Sequence, residues 1–557
     1  MYHLRRRAPF IVTLAAVLAG AALIPVSARA ATATFGSVVA IGGNASDIAL
    51  DEARGQLYVA NFGAGVIDVV STADNTIHSS INVLPFPSAL ALSYDGHYLL
   101  VAHYCNVPTP PVPGPSCSNA VTSIDLTAGT KQVFSLGSAP LGIAFVKSGG
   151  ALVVTTANFL ALDPATGTAQ VIQSIANVAK TISVPLATFP GQIIQASLTT
   201  SADGNSVWGI ASAGTQSQLI FRYNAGSGTF DASYYVSSPT LLPRISTAAD
   251  GSYAMVGYAL IGPGAVLKGR YPDVVESANI TGSAIDSANG IIYAQIPDAN
   301  QPTGAGPAPA GSTAQSAMVV MDADNLTFRD RISIPENMVG RALLNSTATT
   351  MYAVSESGVM VLPVGALNSA HRIAATVEDL LITTNFCNSS VLTQNLTITD
   401  PGGGATDFTI TASQPGVTIL PASGVTPATV KVMVDPAIVK SVGGTTVVTL
   451  NLTSHSAVNH PKPVRLLVSN PDPSQRGAII SQPGVLSDIL ADTARNRIYV
   501  LRQDMNQLLV YDGLTMNLIA TVRTATSPTM MAMTRDQNYL LVGHDDSEYI
   551  YVYDLNT

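Results

Sequence analysis

The segment Asp47–Thr72, DIALDEARGQLYVANFGAGVIDVVST, recurs along the chain in approximate copies. An internal repeat constrains a fold more than any single residue can, because whatever one copy does its neighbours must do beside it. A second copy begins at Ala89 (ALALSYDGHYLLVAHY) and resumes as VTSIDL from Val121, and a late pair reads DILADTARNRIYVLRQDMNQLLVYDG and MAMTRDQNYLLVGHDDSEYIYVYDLNT. Each copy is a short apolar strand, a turn bearing Asp, Gly or Asn, a second apolar strand, a polar gap and a third strand ending near Asp. Such a unit cannot bury both faces alone and must stack on its neighbours. Radially stacked units of this order describe the blades of a β-propeller.

The pattern accounts for residues 31–375 as about seven blades. Blade one spans Asp47 to Val83, blade two Ala89 to Leu136, blade three Leu141 to about Ile175, and blade four Gln192 to Val236. Blade five, Arg244 to Glu276, is the weakest copy, with its third strand read in AVLKGRYP; blade six runs from Gly282 to Ile334 around the polar Pro297–Gln315 segment. Blade seven offers three strands, RALLN, TMYAVSE and GVMVLPV. An incomplete blade leaves an open sheet edge. The orphan strand at Gly36–Ile41 is placed to fill it from the other end of the chain, or to complete the blade that ends at Thr557 if the late copies join the same ring. From residue 376 to 470 the grammar changes to alternating runs such as LTQNLTITD and TTVVTLNLTS with Gly- and Pro-rich turns, which predicts a β-sandwich of immunoglobulin-like length. Residues 471–557 return to the blade pattern in two copies, either as part of the first ring or as part of a second propeller. The fold class is therefore all-β: a seven-bladed β-propeller, an Ig-like sandwich and further propeller-type blades.

Composition agrees and narrows function. Hydrophobic residues are 47% and charged ones 11%, with 45 Gly and 34 Pro, a balance suited to strands and turns. A net charge of −9 argues against nucleic acid, which calls for a basic stripe. Residues 1–30 read as a signal peptide: Arg5–Arg7 form the positive region, Ala8 to Ile24 the apolar region, and Ala28-Arg29-Ala30 the cleavage site. No later run approaches the ~20 apolar residues of a spanning helix. The expectation is a secreted, periplasmic or cell-envelope protein with no membrane span after cleavage. Cys105 and Cys117 flank a short Pro-rich excursion in blade two that a disulfide would pin, and Cys387 is left as a buried thiol.

Leu57-Tyr58-Val59-Ala60-Asn61, framed by DEARG and VIDVV, resembles the YVTN-type, WD40-like bacterial β-propeller repeat, and Ile498-Tyr499-Val500 with Leu509-Val510-Tyr511-Asp512 resembles it again. Residues 417–435, VTILPASGVTPATVKVMVD, similarly resemble a bacterial Ig-like module of the BACON-like kind. The resemblance implies an exported propeller fused to an Ig-like module; it carries no activity with it.

Few residues suggest chemistry. Asp68, Asp125, Asp163, Asp322, Asp512 and Asp554 recur at comparable places, as turn-capping residues do. His103 and His544 occupy equivalent positions at the exit of a second strand and are the candidates for a metal or acid–base role, although no His or carboxylate cluster with ligand spacing accompanies them. No covalent-haem motif is present, Trp208 stands alone, and no cofactor is implied. No catalytic residue can be assigned. The expected function is a binding or scaffold protein that presents its loops to an unknown protein or carbohydrate ligand. The alternative is a lactonase-like or other hydrolytic propeller with a site at the central channel mouth, which would require convergent polar residues from several blades.

Overall fold

In the computed structural model the described residues are 33–104, 118–180, 192–214, 218–235, 241–272, 274, 281–297, 316–384, 390–439, 444–470, 474, 476–477 and 480–557. The leader, the Cys105–Cys117 loop, the Pro-rich segment after Pro297 and Cys387 fall outside them, apart from Pro297 itself.

Blade one shows how the repeat becomes structure. Ala45–Asp51, Gln56–Asn61, Val66–Ser71 and Thr76–Asn82 form one antiparallel meander, β-branched and aromatic side chains alternating between its two faces. Its first hairpin turns at Gly55, whose φ of +62° is the left-handed conformation that glycine takes without a Cβ clash. One face of the blade (Ile48, Leu57, Val59, Val70) packs on blade seven; the other (Ala49, Tyr58, Ala60, Ile67, Val69) packs on blade two. Five further four-stranded meanders repeat the arrangement, and the innermost strands follow one another in an unbroken cycle of neighbours from Ala45–Asp51 around to Met338–Leu344 and back. The chain thus forms a closed seven-bladed β-propeller.

The closure is made by exchange. Ser37–Ala40 pairs antiparallel with Gly358–Leu362, as the outer strand of the blade built from Met338–Leu344, Met351–Ser355 and Gly358–Leu362. A Cβ on Gly358 would strike the carbonyl oxygen of Val39, so this pairing requires glycine there. Blade five differs from expectation. Its third strand is Ala259–Ile261, and the LKGR stretch, Leu267–Arg270, is the fourth. Strands of three and four residues give weak periodicity, which is why the repeat fades here.

Beyond the ring, two sheets of four and five strands pack face to face over a core that includes Leu396, Ile398, Phe408, Ile410, Val430, Val448 and Leu450. This sandwich attaches to the outer strand of blade six: Ser333 N–H donates to Val458 O, and His460 N–H donates to Arg331 O. The remaining strands form blade eight, Leu486–Asp492 to Leu518–Arg523, and a three-stranded blade nine, Pro528–Met533 to Tyr551–Asp554. The first ring closes without them. Instead they dock outside it, on the outer strand of blade five and a turn of blade six. Among the described residues no helix is long and apolar enough to cross a membrane.

Candidate functional site

The ring axis is where a propeller can gather polar groups from many blades, and three charged side chains do converge there. Arg341 leaves the innermost strand of blade seven and crosses the centre. Its Nε lies 3.2 Å from Asp47 Oδ1, Nη1 donates to the carbonyls of Leu90 (3.1 Å) and Ile48 (3.4 Å), and Nη2 donates to that of Leu198 (2.7 Å). One guanidinium therefore ties together blades one, two, four and seven. Asp47 also accepts the N–H of Ile48 and, at 2.8 Å, that of Leu90 in the next blade. Burial pushes the Asp47 carboxyl up, against the opposing pull of Arg341 and of these N–H donors. Arg244, partly buried nearby, donates to Val339 O, and the loss of water pulls its pKa down. Every one of these groups is bonded to the protein itself, so the cluster is a structural plug. Its members had one sequence signal, a lone charge inside an apolar first strand.

The two histidines are likewise engaged. His103 is fully buried, with Nδ1 3.2 Å from Pro85 O and Nε2 2.8 Å from Thr122 Oγ1. His544 repeats the arrangement, Nε2 to Thr524 Oγ1 at 2.7 Å and Nδ1 to Tyr549 O at 3.2 Å. Burial lowers the pKa of both, so each is a neutral ring bridging two oxygens. Among the described residues no three His, Cys, Asp or Glu side chains are grouped to hold a metal ion.

The recurrent aspartates divide into two kinds. Asp125, Asp163, Asp512 and Asp554 cap turns by accepting backbone N–H groups two or three residues on, such as Ala165 on Asp163 and Thr515 on Asp512. Asp68 does not: it lies within its strand opposite Val59, where Asn61 Nδ2 and Ser80 Oγ donate to it. Asp322 does not either, since its oxygens take the guanidinium groups of Arg329 and Arg523. Asp68 stands three residues before its strand ends at Ser71, whereas Asp322 ends its strand as Asp125 and Asp512 do but has its oxygens taken by the two arginines.

The seam between the ring and blades eight and nine holds a site that sequence reasoning missed. Asp546 accepts from Arg270 Nη2 at 2.7 Å, and Asn325 is tied to Thr524 O and Asn506. Arg523 reaches Asp322 at 2.7 Å and Asp324 at 2.6 Å. Between these anchors lie two cavities that share Tyr253 and Lys268. One, of about 400 Å³, is bounded by Asp322, Asp324, Arg329 and Arg523; the other, of about 230 Å³, by Pro263, Tyr549 and Tyr551. Lys268 Nζ stands 5.1 Å from the centre of the Tyr253 ring. Burial lowers the Lys268 pKa and the Asp324 carboxylate partly restores it. Among the described residues its ammonium makes no hydrogen bond or ion pair, leaving three donors directed at cavity space. Tyr253 and Lys268 come from blade five, the copy in which the repeat is hardest to follow, and their partners arrive from nearly 300 residues on.

No protein-family model matches this chain, and no curated protein matches it. Three similar solved structures align with it. Kuenenia stuttgartiensis hydrazine synthase aligns at 15% identity and a TM-score of 0.42, over 59% of this chain and 98% of that one. The Myceliophteria thermophila Cps50 (Swd1) β-propeller domain aligns at 11% and 0.41, over 59% and 98%. The RRP9 WD40 repeats align at 9% and 0.42, over 60% and 99%.

Proposed function

We propose that this chain is a secreted or envelope-associated β-propeller binding and scaffold protein, and that it takes a saccharide bearing an anionic group in the seam between its ring and blades eight and nine. The observation that carries the reading is the grouping of Lys268, a half-buried ammonium with no hydrogen bond or ion pair among the described residues, with Tyr253, Tyr549 and Tyr551 around two joined cavities. Tyrosine faces suit the C–H faces of a sugar ring, and a few placed polar groups fix its orientation. A carboxylate on the ligand would complete the coordination of Lys268 and relieve the cost of its partial burial. The leader-like sequence of residues 1–30 supports export, and the repeat and sandwich sequences support the YVTN-type and Ig-like assignments.

A hydrolytic site at the channel would need polar groups free to meet substrate. Asp47, Arg244 and Arg341 are already committed to one another and to backbone carbonyls. The test is calorimetric titration with uronic-acid oligosaccharides and their neutral counterparts. Binding of the acidic series should weaken by about 10- to 100-fold in Lys268→Ala, as expected for a charged hydrogen bond. Equal affinity for neutral and acidic sugars, or binding untouched by the substitution, would refute the assignment. Fractionation of the expressing cells tests export directly.

A further inference from the structure

Blades eight and nine make one proper propeller joint and leave two half-joints open. Between them, Tyr499, Leu501 and Leu508 pack on Leu540 and Val542. Asp488 accepts the N–H of Ile489 at 2.8 Å and that of Met531 in the next blade at 2.7 Å, reproducing the Asp47 bridge to Ile48 and Leu90. The register of the strands makes the repeat positions comparable one by one.

On the side of blade eight that would face a preceding blade, Ile489 pairs with Val500 as Ile48 pairs with Val59. Ile48 is 0% exposed against blade seven, whereas Ile489 is 68% exposed. The segment entering blade eight covers part of this face, through Gln482 on the Tyr511 hydroxyl, but leaves Ile489 and Leu486 outside. On the side of blade nine that would face a following blade, Met530 pairs with Gly543 as Ala89 pairs with Ala102, and Val552 pairs with Leu541 as Ser123 pairs with Leu100. In blade two these positions are buried, Ala89 among blade-three side chains and Ser123 donating to Pro164 O. In blade nine Met530 is 64% and Val552 57% exposed.

The two open faces are thus the two complementary halves of one joint, and beyond the partial cover of the entering segment on blade eight no described part of the chain fills either. Contacts with the ring and the sandwich run through one loop end of the blade pair, at residues such as Arg502, Asn506, Arg523 and Asp546. Both lateral faces stay clear of them. Isolated apolar residues on a surface need no explanation, but apolar residues at joint positions on two matching faces do.

We propose that a second copy of this chain covers each face, blade nine of one chain seating on blade eight of the next. The contact is head to tail, and a head-to-tail contact that closes gives a ring. Propeller rings usually hold four to eight blades, so the blade pair described here needs further blades from other copies to complete one.

Sedimentation of the full chain across low to high micromolar concentrations tests this. The expected result is a discrete assembly of an integer number of chains, reduced to monomer by Ile489→Asp and equally by Val552→Asp. Both sites are exposed in the single chain, so each variant should keep the wild-type circular dichroism spectrum. A mixture of the two variants retains one intact face of each kind and should give a 1:1 dimer, while the double variant should not assemble. A wild-type monomer at every concentration, an assembly indifferent to both substitutions, or a mixture that stays monomeric would each overturn the proposal.

Discussion

Replacing Arg341 by methionine should destabilise the ring by an amount that depends on pH, and the geometry sets both the size and the sign. Methionine keeps the length of the side chain but removes the ion pair to Asp47 and the bonds to the carbonyls of Ile48, Leu90 and Leu198. Removing one partner of a buried pair costs about 3–5 kcal/mol, because the other is left charged without compensation. A ring of this length carries roughly 0.7 kcal/mol/K of unfolding entropy, so the melting temperature should fall by about 4–7 °C. Burial already raises the Asp47 carboxyl above its ordinary value, and losing the guanidinium raises it further. A carboxyl that holds its proton more tightly folded than unfolded loses stability as pH rises through that window. The difference between wild type and R341M should therefore be smaller at pH 5 than at pH 8. Calorimetric melts at both values measure it, and Asp47→Asn should cost less in the R341M background than alone. A fall of under about 1.5 °C at pH 8, or a difference that does not change with pH, would refute a desolvated axial pair.

Three further outcomes follow from the same geometry. Gly358→Val should push the exchanged strand off blade seven, seen as rapid proteolysis near residues 33–45 and a drop of several degrees in the melt; unchanged cleavage would contradict closure by that strand. Asn325→Ala removes the side-chain bonds to Thr524 O and Arg523, while Asn506 keeps its bond to the main-chain carbonyl of residue 325, so hydrogen exchange should rise in 505–527 by the equivalent of about 1–3 kcal/mol while the ring stays protected. Burial works to raise the Asp400 carboxyl, but donors from Thr406, Arg372, His371 and Gly402 hold it down to about 2. Its contribution of roughly 2 kcal/mol is present above the unfolded value near 3.8 and lost as pH falls through about 2, so Asp400→Asn should flatten the acid limb of the sandwich transition.

Much of the architecture was legible in the chain because it follows from local periodicity. Blades one, two, eight and nine each carry apolar runs with turn residues between them, and these run lengths alone specify meanders that must stack. Blade five was misaligned by one strand because Ala254–Val256 and Ala259–Ile261 are too short to show a period. Asp68 and Asp322 do not cap turns, for two different reasons: Asp68 sits three residues before the end of its strand, and Asp322, at its strand end, is engaged by Arg329 and by Arg523 from a distant segment. Lys268 and its tyrosines gave no signal at all: Tyr253 just precedes a strand and Tyr551 opens one, and neither stands out until blade nine is laid against blade five.

What the sequence determined by itself was the repeating unit and the need for closure, because strand length, alternation and turn chemistry act between residues a few positions apart. Tertiary structure decided what depends on distant segments meeting. It set the exchange of Ser37–Ala40 into blade seven, the axial Asp47–Arg341 pair, and the docking of blades eight and nine on the outside of a ring that was already complete. The physical reason is common to all three. A half-filled edge, a buried charge and an open joint each have a cost that any complementary partner can offset, and the partner's identity is fixed by three-dimensional fit rather than by separation along the chain.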